Sequence, residues 1–296
     1  MVQSRLRRLS APLRGEGGIA LAFLLPSAAG FCLFFALPFA VGFYYSLVDH
    51  PVRGDFVGFA NYREVLASAS FRKAAGNSLW FTLVSVPAVM SLSLALALLL
   101  NRNLPFRDWL RTAYVMPLVV PVASVVLFWQ VLFDGFGAVN GWLLSIGAVP
   151  RDWMKTEAAR WVLVCMYIWK NVGYNMVMFL AGLQMIPKDY YEAASMDGAG
   201  RLRQFVSITL VYLTPSSFFV LIMSIINSFK VFRETYLVAG EYPHDSIYLL
   251  QHYMNNMFLS LNYQKLTSAA YLMALAIAVA VVALFRVESQ FRKALE

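Results

Sequence analysis

Charge is absent from long stretches of this chain. Gly17–Val48, Ala74–Asn101, Thr112–Phe133, Gln204–Phe229 and Leu266–Phe285 contain no Asp, Glu, Lys or Arg, and a sixth run, Asn171–Pro187, extends back to Trp161 if Lys170 is allowed inside it. A helix needs about 20 mostly apolar residues to cross the hydrocarbon core, so the pattern predicts six membrane-spanning helices. These divide the chain into a tail over 1–18, a six-helix domain over 19–285 and a second tail over 286–296. Six spans and short loops use nearly all 296 residues and leave no room for a soluble nucleotide-binding domain. The first run is longer than the 7–15 residues of a signal-peptide core and carries Pro26 and Pro38, so it reads as a retained span. Pro87, Pro117, Pro121 and Pro215 fall within spans and predict bent helices around a path.

The segments between the runs differ in character. Residues 49–73 mix charge with Phe56, Phe59, Tyr62, Val65, Leu66 and Phe71 and predict a turn and a short interfacial helix. The 134–160 segment and its border carry Trp142, Trp153 and Trp161, residues suited to the membrane–water boundary. The longest segment, 230–265, is polar and aromatic with a turn near Gly240–Pro243.

Composition agrees: 60% of residues are hydrophobic and 14% charged. The charge is also unevenly placed. The two tails with loops 102–111 and 188–203 hold thirteen basic and seven acidic residues; loops 49–73, 134–160 and 230–265 hold ten and nine over a greater length. The denser basic side is expected to be cytoplasmic, with both termini on it. The net charge of +8 therefore reports topology and attraction to anionic lipid, and no basic stripe with interleaved aromatics points to nucleic acid. Cys32 and Cys165 lie within spans and read as small packing residues. His50, His244 and His252 lie in the predicted loops, with no metal-ligand spacing.

The polar segment 188–203 separates two spans. Pro187 closes the fourth, Asp189 is placed to cap a short helix through Met196, and Asp197-Gly198-Ala199-Gly200 supplies turn chemistry. Arg201 restarts a helix running into the fifth span. Ala193 and Ala194 would let a partner surface approach the backbone, with Glu192 and Asp197 as charged contacts at the rim. A plain connector of good helix formers is the alternative; the fixed spacing to Gly198, Ile208 and Leu210 favours docking.

Glu192, Ala193, Ala194, Gly198, Ile208 and Leu210 resemble the E-A-A-x3-G-x9-I-x-L-P signature of the permease subunits of ABC importers. Val211 stands at the pattern's final proline, and Pro215 follows within a turn. Phe56-Val57-Gly58 with Asn61-Tyr62, Asn77-Ser78, the Pro117/Pro121 pair, and Trp169 through Ala181–Pro187 resemble the maltose-type sugar permease branch. The resemblance covers roughly Phe56 to the C-terminus. It implies an all-α integral membrane protein of the type I ABC importer permease fold, with a cytoplasmic coupling helix-turn-helix over 188–203. It further implies that Glu192, Ala193, Ala194, Asp197, Gly198 and Arg201 couple to two ATP-binding subunits, and that a second homologous permease and an extracytoplasmic sugar-binding protein complete the system. ATP and Mg would be bound by the ATPase partners, leaving this chain no cofactor, metal or catalytic residue. The setting is the bacterial cytoplasmic (inner) membrane, in contact with lipid.

In span four, Tyr167, Lys170, Asn171 and Tyr174 share one helix face. Lys170 lies nine residues after Trp161, about 13 Å deep at 1.5 Å per residue. A cation there should face a cavity, a partner or a ligand. Span five places Ser224, Asn227 and Ser228 on one face. Amides, hydroxyls and rings suit a sugar, and the resemblance points to the same two helices. Interhelical hydrogen bonding is the competing role: it weighs more for Ser224 and Ser228 and evenly for Asn171, Tyr174 and Asn227. The expected activity is carbohydrate import, with a sugar phosphate or polyol as the variant cargo. An ion-coupled transporter would want intramembrane acids or an internal repeat. A membrane enzyme would want paired carboxylates or a metal cluster.

Overall fold

The computed structural model describes residues 16–102 and 104–295, so Arg5, Arg7, Arg8 and Arg14 of the basic tail lie outside the described residues. Among those described, regular structure is helical apart from one antiparallel bridge, Val48–Phe56. The chain begins with α1 (Glu16–Phe31) and α2 (Leu37–Ser46), joined by a π-helical turn at Cys32–Ala36. The short α3 (Ala60–Ala67) leads to α4 (Ala69–Leu100), which starts five residues before the predicted span because Ser68 Oγ accepts from the Phe71 N–H and caps it.

The predicted third span is two helices, α5 (Arg107–Val119) and α6 (Val122–Phe133). Pro121 is responsible: it cannot donate to the ladder and drives Val120 extended, at φ −65 and ψ 132. Pro87 and Pro117 remain inside helices, and Pro215 opens one. After α7 (Ala138–Ser145) comes the central α8 (Ala159–Gln184), followed by α9 (Lys188–Met196). Span five assembles from α10 (Arg201–Gln204), a π turn (Phe205–Thr209), α11 (Leu210–Tyr212) and α12 (Thr214–Phe229). The last segments are α13 (Phe232–Ala239), α14 (Leu250–Leu259) and α15 (Tyr263–Leu295). The 230–265 segment is thus largely helical, and α15 runs on through the predicted C-terminal tail.

Among the described residues, five stretches are long and apolar enough to cross a membrane: Phe23–Ser46, Ala69–Leu100, Val122–Ser145, Thr214–Ala239 and Tyr263–Gln290. The helix missing from that set is α8, which has the length (26 residues) but mixed polarity. Its position explains this. Neighbouring helices cover Val162, Leu163, Met166, Val172, Met176, Phe179 and Leu183, so lipid does not select for apolar residues all round it.

Lipid tails are as apolar as leucine, so close approach and interhelical hydrogen bonds hold such a bundle. A Cβ on Gly173 would collide with the Tyr114 carbonyl, and one on Gly182 with Ser216; these glycines let α5 and α12 lie against α8. Ser93 Oγ donates to the Val172 carbonyl (3.0 Å), tying α4 to α8. Phe81, Val89, Val125, Trp129, Met166 and Tyr167 form one core cluster; Leu100, Phe179, Leu183 and Leu213 belong to a second.

The segments 49–73, 134–160 and 230–265 fold back onto the bundle. Asn77 Nδ2 donates to the carbonyls of Asp245 (2.6 Å) and Tyr248 (3.0 Å), and Ser78 Oγ accepts from the Leu250 N–H (2.9 Å). Asn61 ties α3 to the end of α2 through the Ser46 and Val48 carbonyls. The fully buried Asn140 organises the 134–160 loop: it donates to Arg151 O and accepts from the Trp153 indole.

His252 was expected in a loop, and instead sits buried on α14, where its Nδ1 accepts from the Leu249 N–H (3.3 Å). Burial pushes its imidazole down to about 4 from the ordinary 6.5. The unfolded segment therefore binds a proton before the folded one. This contribution to stability is complete above about pH 6.5 and is lost as pH falls towards 4, by on the order of 3 kcal/mol at full protonation. Amide exchange over 245–259, corrected for intrinsic rates, should show protection falling from pH 7 to 5, and His252→Gln should flatten that dependence. Equal protection at both pH values would contradict it.

Candidate functional site

Two regions gather the predicted residues. The first is the hairpin after span four. Its helix α9 is N-capped by the backbone of Pro187 with no side-chain cap, so Asp189 is not the cap; it lies in the first turn, where a carboxylate complements the helix dipole. The C-terminus closes as a Schellman motif: Ala199 N–H donates to Ala194 O (2.9 Å) and Gly198 N–H to Ser195 O (3.1 Å). Gly198 has φ +76, the left-handed conformation this motif requires.

The hairpin is fastened to the root of span five. Gln204 Nε2 donates to Ser195 Oγ (2.8 Å) and to the Ala199 carbonyl (2.9 Å). The Tyr191 and Thr209 hydroxyls are 2.9 Å apart, and the rings of Tyr190 and Tyr212 lie 5.1 Å apart. Motif spacing gave no sign of Tyr191, Gln204 or Thr209. Glu192, Ala193, Asp197, Gly198 and Arg201 remain exposed, with Ala194 half-buried. Around them stand Met185 (82% exposed), Met196 (86%) and Leu202 (78%), which sequence reasoning passed over. Exposed apolar side chains beside exposed charges are a common feature of interaction surfaces.

The second region is a cavity of about 210 Å³ where α8 meets the end of α12. Tyr167, Lys170, Asn171 and Asn227 line it, joined by Lys230, Arg233 and Glu234. Leu118, next to the break in span three, closes another side. At roughly 30 Å³ per water the volume equals about seven waters, room for one small ring.

Lys170 is not a lone cation: its ammonium pairs with Glu234 on α13, with only 18% of the lysine side chain and 6% of the glutamate side chain exposed. The acid that answers Lys170 is thus supplied by this chain. Glu234 had been counted with an external loop, and it turns back because α12 ends at Phe229 and the next helix begins at the cavity that Lys170 lines. Gln130 Nε2 fixes α13 from the other side through the carbonyls of Leu237 (3.4 Å) and Val238 (3.3 Å).

The remaining predicted residues divide. Tyr167 OH donates to the Ser224 carbonyl (2.8 Å), and Asn175 Nδ2, not singled out from sequence, donates to Ser224 Oγ (2.8 Å). Ser228 Oγ bonds Thr82 Oγ1 (2.8 Å) and the Ile225 carbonyl (2.7 Å). Both serines are therefore engaged in packing. Asn171 keeps its place in the wall with its amide on the Tyr167 carbonyl (2.9 Å). Tyr174, one turn further along α8, lies outside the cavity wall. Cys32 and Cys165 are free thiols on exposed helix surfaces, not packing residues of the interior. No group of three or more His, Cys, Asp or Glu that could hold a metal occurs among the described residues.

Residues 88–295 match the family described as "Binding-protein-dependent transport system inner membrane component". Over 192 residues the chain is 34% identical to the arabinooligosaccharides transport system permease protein AraP of Bacillus subtilis (strain 168), spanning 64% of this chain and 61% of that protein. It is 36% identical over 190 residues to the trehalose/maltose transport system permease protein MalF of Thermococcus litoralis, spanning 64% of each. The matched stretch is thus less than two thirds of either relative's length. With the sulfoquinovosyl glycerol transport system permease protein SmoG of Agrobacterium fabrum the identity is 34% over 217 residues, 71% of this chain and 70% of that one. In fold, it superposes on a chain from the crystal structure of a bacterial ABC transporter involved in the import of the acidic polysaccharide alginate. The TM-score is 0.81 at 22% identity, covering 92% of this chain and 95% of that one.

Proposed function

Because this chain belongs to the binding-protein-dependent transport system inner membrane component family, we propose that it is a membrane-spanning permease subunit of an ABC importer for carbohydrate. The observation that carries the reading is mechanical. A hairpin with an exposed apolar and charged face is fastened by Gln204, Tyr191 and Thr209 to the root of the helix whose far end, at Asn227 and Lys230, walls the central cavity. A displacement of the hairpin is then felt at the cavity. Three relatives carry a carbohydrate in their names, and the polar cavity wall suits hydroxyl-bearing cargo.

In this mechanism an extracytoplasmic binding protein releases sugar onto the external segments 49–73, 134–160 and 230–265. Two separate ATPase subunits, which bind ATP and Mg, close and pull on 188–203. The helices around the cavity then exchange outward- and inward-facing arrangements, together with a second, homologous permease chain. Both termini lie in the cytoplasm, and this chain performs no chemistry on its cargo. The buried acid at Glu234 is the kind of group an ion-coupled transporter would use, but Lys170 neutralises it within the same chain.

The test is reconstitution of the complete complex with its binding protein in proteoliposomes. Sugar-loaded binding protein should stimulate ATP hydrolysis, and labelled sugar should accumulate only with ATP. Accumulation driven by a sodium or proton gradient without nucleotide would overturn the reading.

A further inference from the structure

The charges around the central cavity do not balance. Lys170 and Glu234 neutralise each other at its buried floor. Lys230 and Arg233 also line the cavity and are exposed, so they form its mouth. Among the described residues neither side chain has a hydrogen bond or an ion pair. The wall therefore carries three cations against one carboxylate.

Helix stability accounts for only one of the two free cations. Lys230 follows the C-terminus of α12, where a positive charge complements the dipole. Arg233 occupies the first turn of α13, where a guanidinium opposes the dipole, and no side chain caps that helix start at Val231. A cation set against its own helix, with no counter-ion, suits an anion arriving from outside. The ion pair beneath serves the same end. With Glu234 held by Lys170, its carboxylate does not answer Lys230 or Arg233, and the mouth stays positive.

Resting on the carbohydrate reading above, we propose that the imported saccharide is acidic. Its fixed negative charge, a uronate-type carboxylate or a sulfonate, would meet Lys230 and Arg233 at the mouth while its ring enters the cavity beside Asn227. Arginine and lysine bind such groups by charge-assisted hydrogen bonds, and Arg233 is able to take both oxygens in a fork.

The test uses the complete reconstituted complex with one constant binding protein. The probes are uronate-containing disaccharides, a sulfonated glycoside, and their neutral parents made by carboxyl reduction or lacking the sulfonate. Wild type should take up at least one acidic probe in preference to its neutral parent. In Lys230→Gln/Arg233→Gln the acid-to-neutral uptake ratio should fall about tenfold or more, with Arg233→Lys keeping most of it. Co-purification of the partner subunits shows that each variant assembles, and the single variant Arg233→Gln serves if the double one does not. Neutral parents taken up as well as the acidic probes by wild type, or a ratio that ignores both substitutions, would overturn the proposal. Uptake of neither kind of sugar, with binding-protein-stimulated ATP hydrolysis intact, would bring down the carbohydrate reading itself.

Discussion

Gly198→Pro should leave the chain in the membrane and strip it of the ATPase subunits proposed to dock on it. Proline holds φ near −65°, and the native residue sits at +76. The substitution also deletes the N–H that donates to Ser195 O (3.1 Å), one of the two bonds closing the C-terminus of α9. The hairpin would then open where Gln204 grips Ser195 and Ala199. Nothing lies within 4 Å of a Cβ at this position, so Gly198→Ala meets only the left-handed backbone penalty of about 1–2 kcal/mol and should weaken docking without abolishing it. Glu192→Lys reverses an exposed charge on the same face and should also release the partners while sparing the bundle. For Gly198→Pro and Glu192→Lys, ATP-driven uptake in membrane vesicles should drop on the order of 100-fold, the equivalent of about 3 kcal/mol of lost docking. Carbonate-resistant membrane association should be unchanged. Full uptake by either variant would mean that the hairpin is not where force enters.

The second large effect belongs to the Lys170–Glu234 pair. Lys170→Met leaves the buried Glu234 carboxylate without its buried partner, and Glu234→Met strands an ammonium in the same place. Removing one partner of a buried pair typically destabilises by about 3–5 kcal/mol, whereas removing both is often close to neutral. Each single variant should therefore lower the thermal midpoint of the purified complex by several degrees, and Lys170→Met/Glu234→Met should recover most of it. Transport should not recover with stability, because the doubly apolar floor removes two of the polar groups that line the cavity. Single variants as stable as wild type would show that the pair does not hold α13 against α8.

The ion pair also marks where sequence reasoning stopped. Lys170 could be identified as a charge needing an answer, since an unpaired cation at that depth is costly. Its partner could not, because Glu234 lies 64 residues further on and was assigned to an external loop. The same holds for Asn77 and Ser78, which the sequence marked only by their resemblance to a permease motif and which prove to anchor a segment some 170 residues away. Asp189 was misplaced as a cap for a local reason: α9 already begins at Lys188, preceded by Pro187, which caps it with only its backbone.

What the amino-acid sequence determined alone follows from solvent physics. Lipid imposes charge-free runs of a set length, so the spans and the polar hairpin between the fourth and fifth were legible, as was the turn that needs Gly198. Periodicity also named the face of α8 that carries Tyr167, Lys170 and Asn171. Which neighbour meets that face was decided only in three dimensions. Pro121 splits one span, α12 stops at Phe229, and Gly173 and Gly182 set how closely the helices approach. Together these bring Glu234 under Lys170, leave Lys230 and Arg233 open at the mouth, and assign Ser224 and Ser228 to packing. A hydrophobic pattern encodes contact with lipid residue by residue, whereas contact between helices depends on where each one bends, ends and comes near enough to share a hydrogen bond.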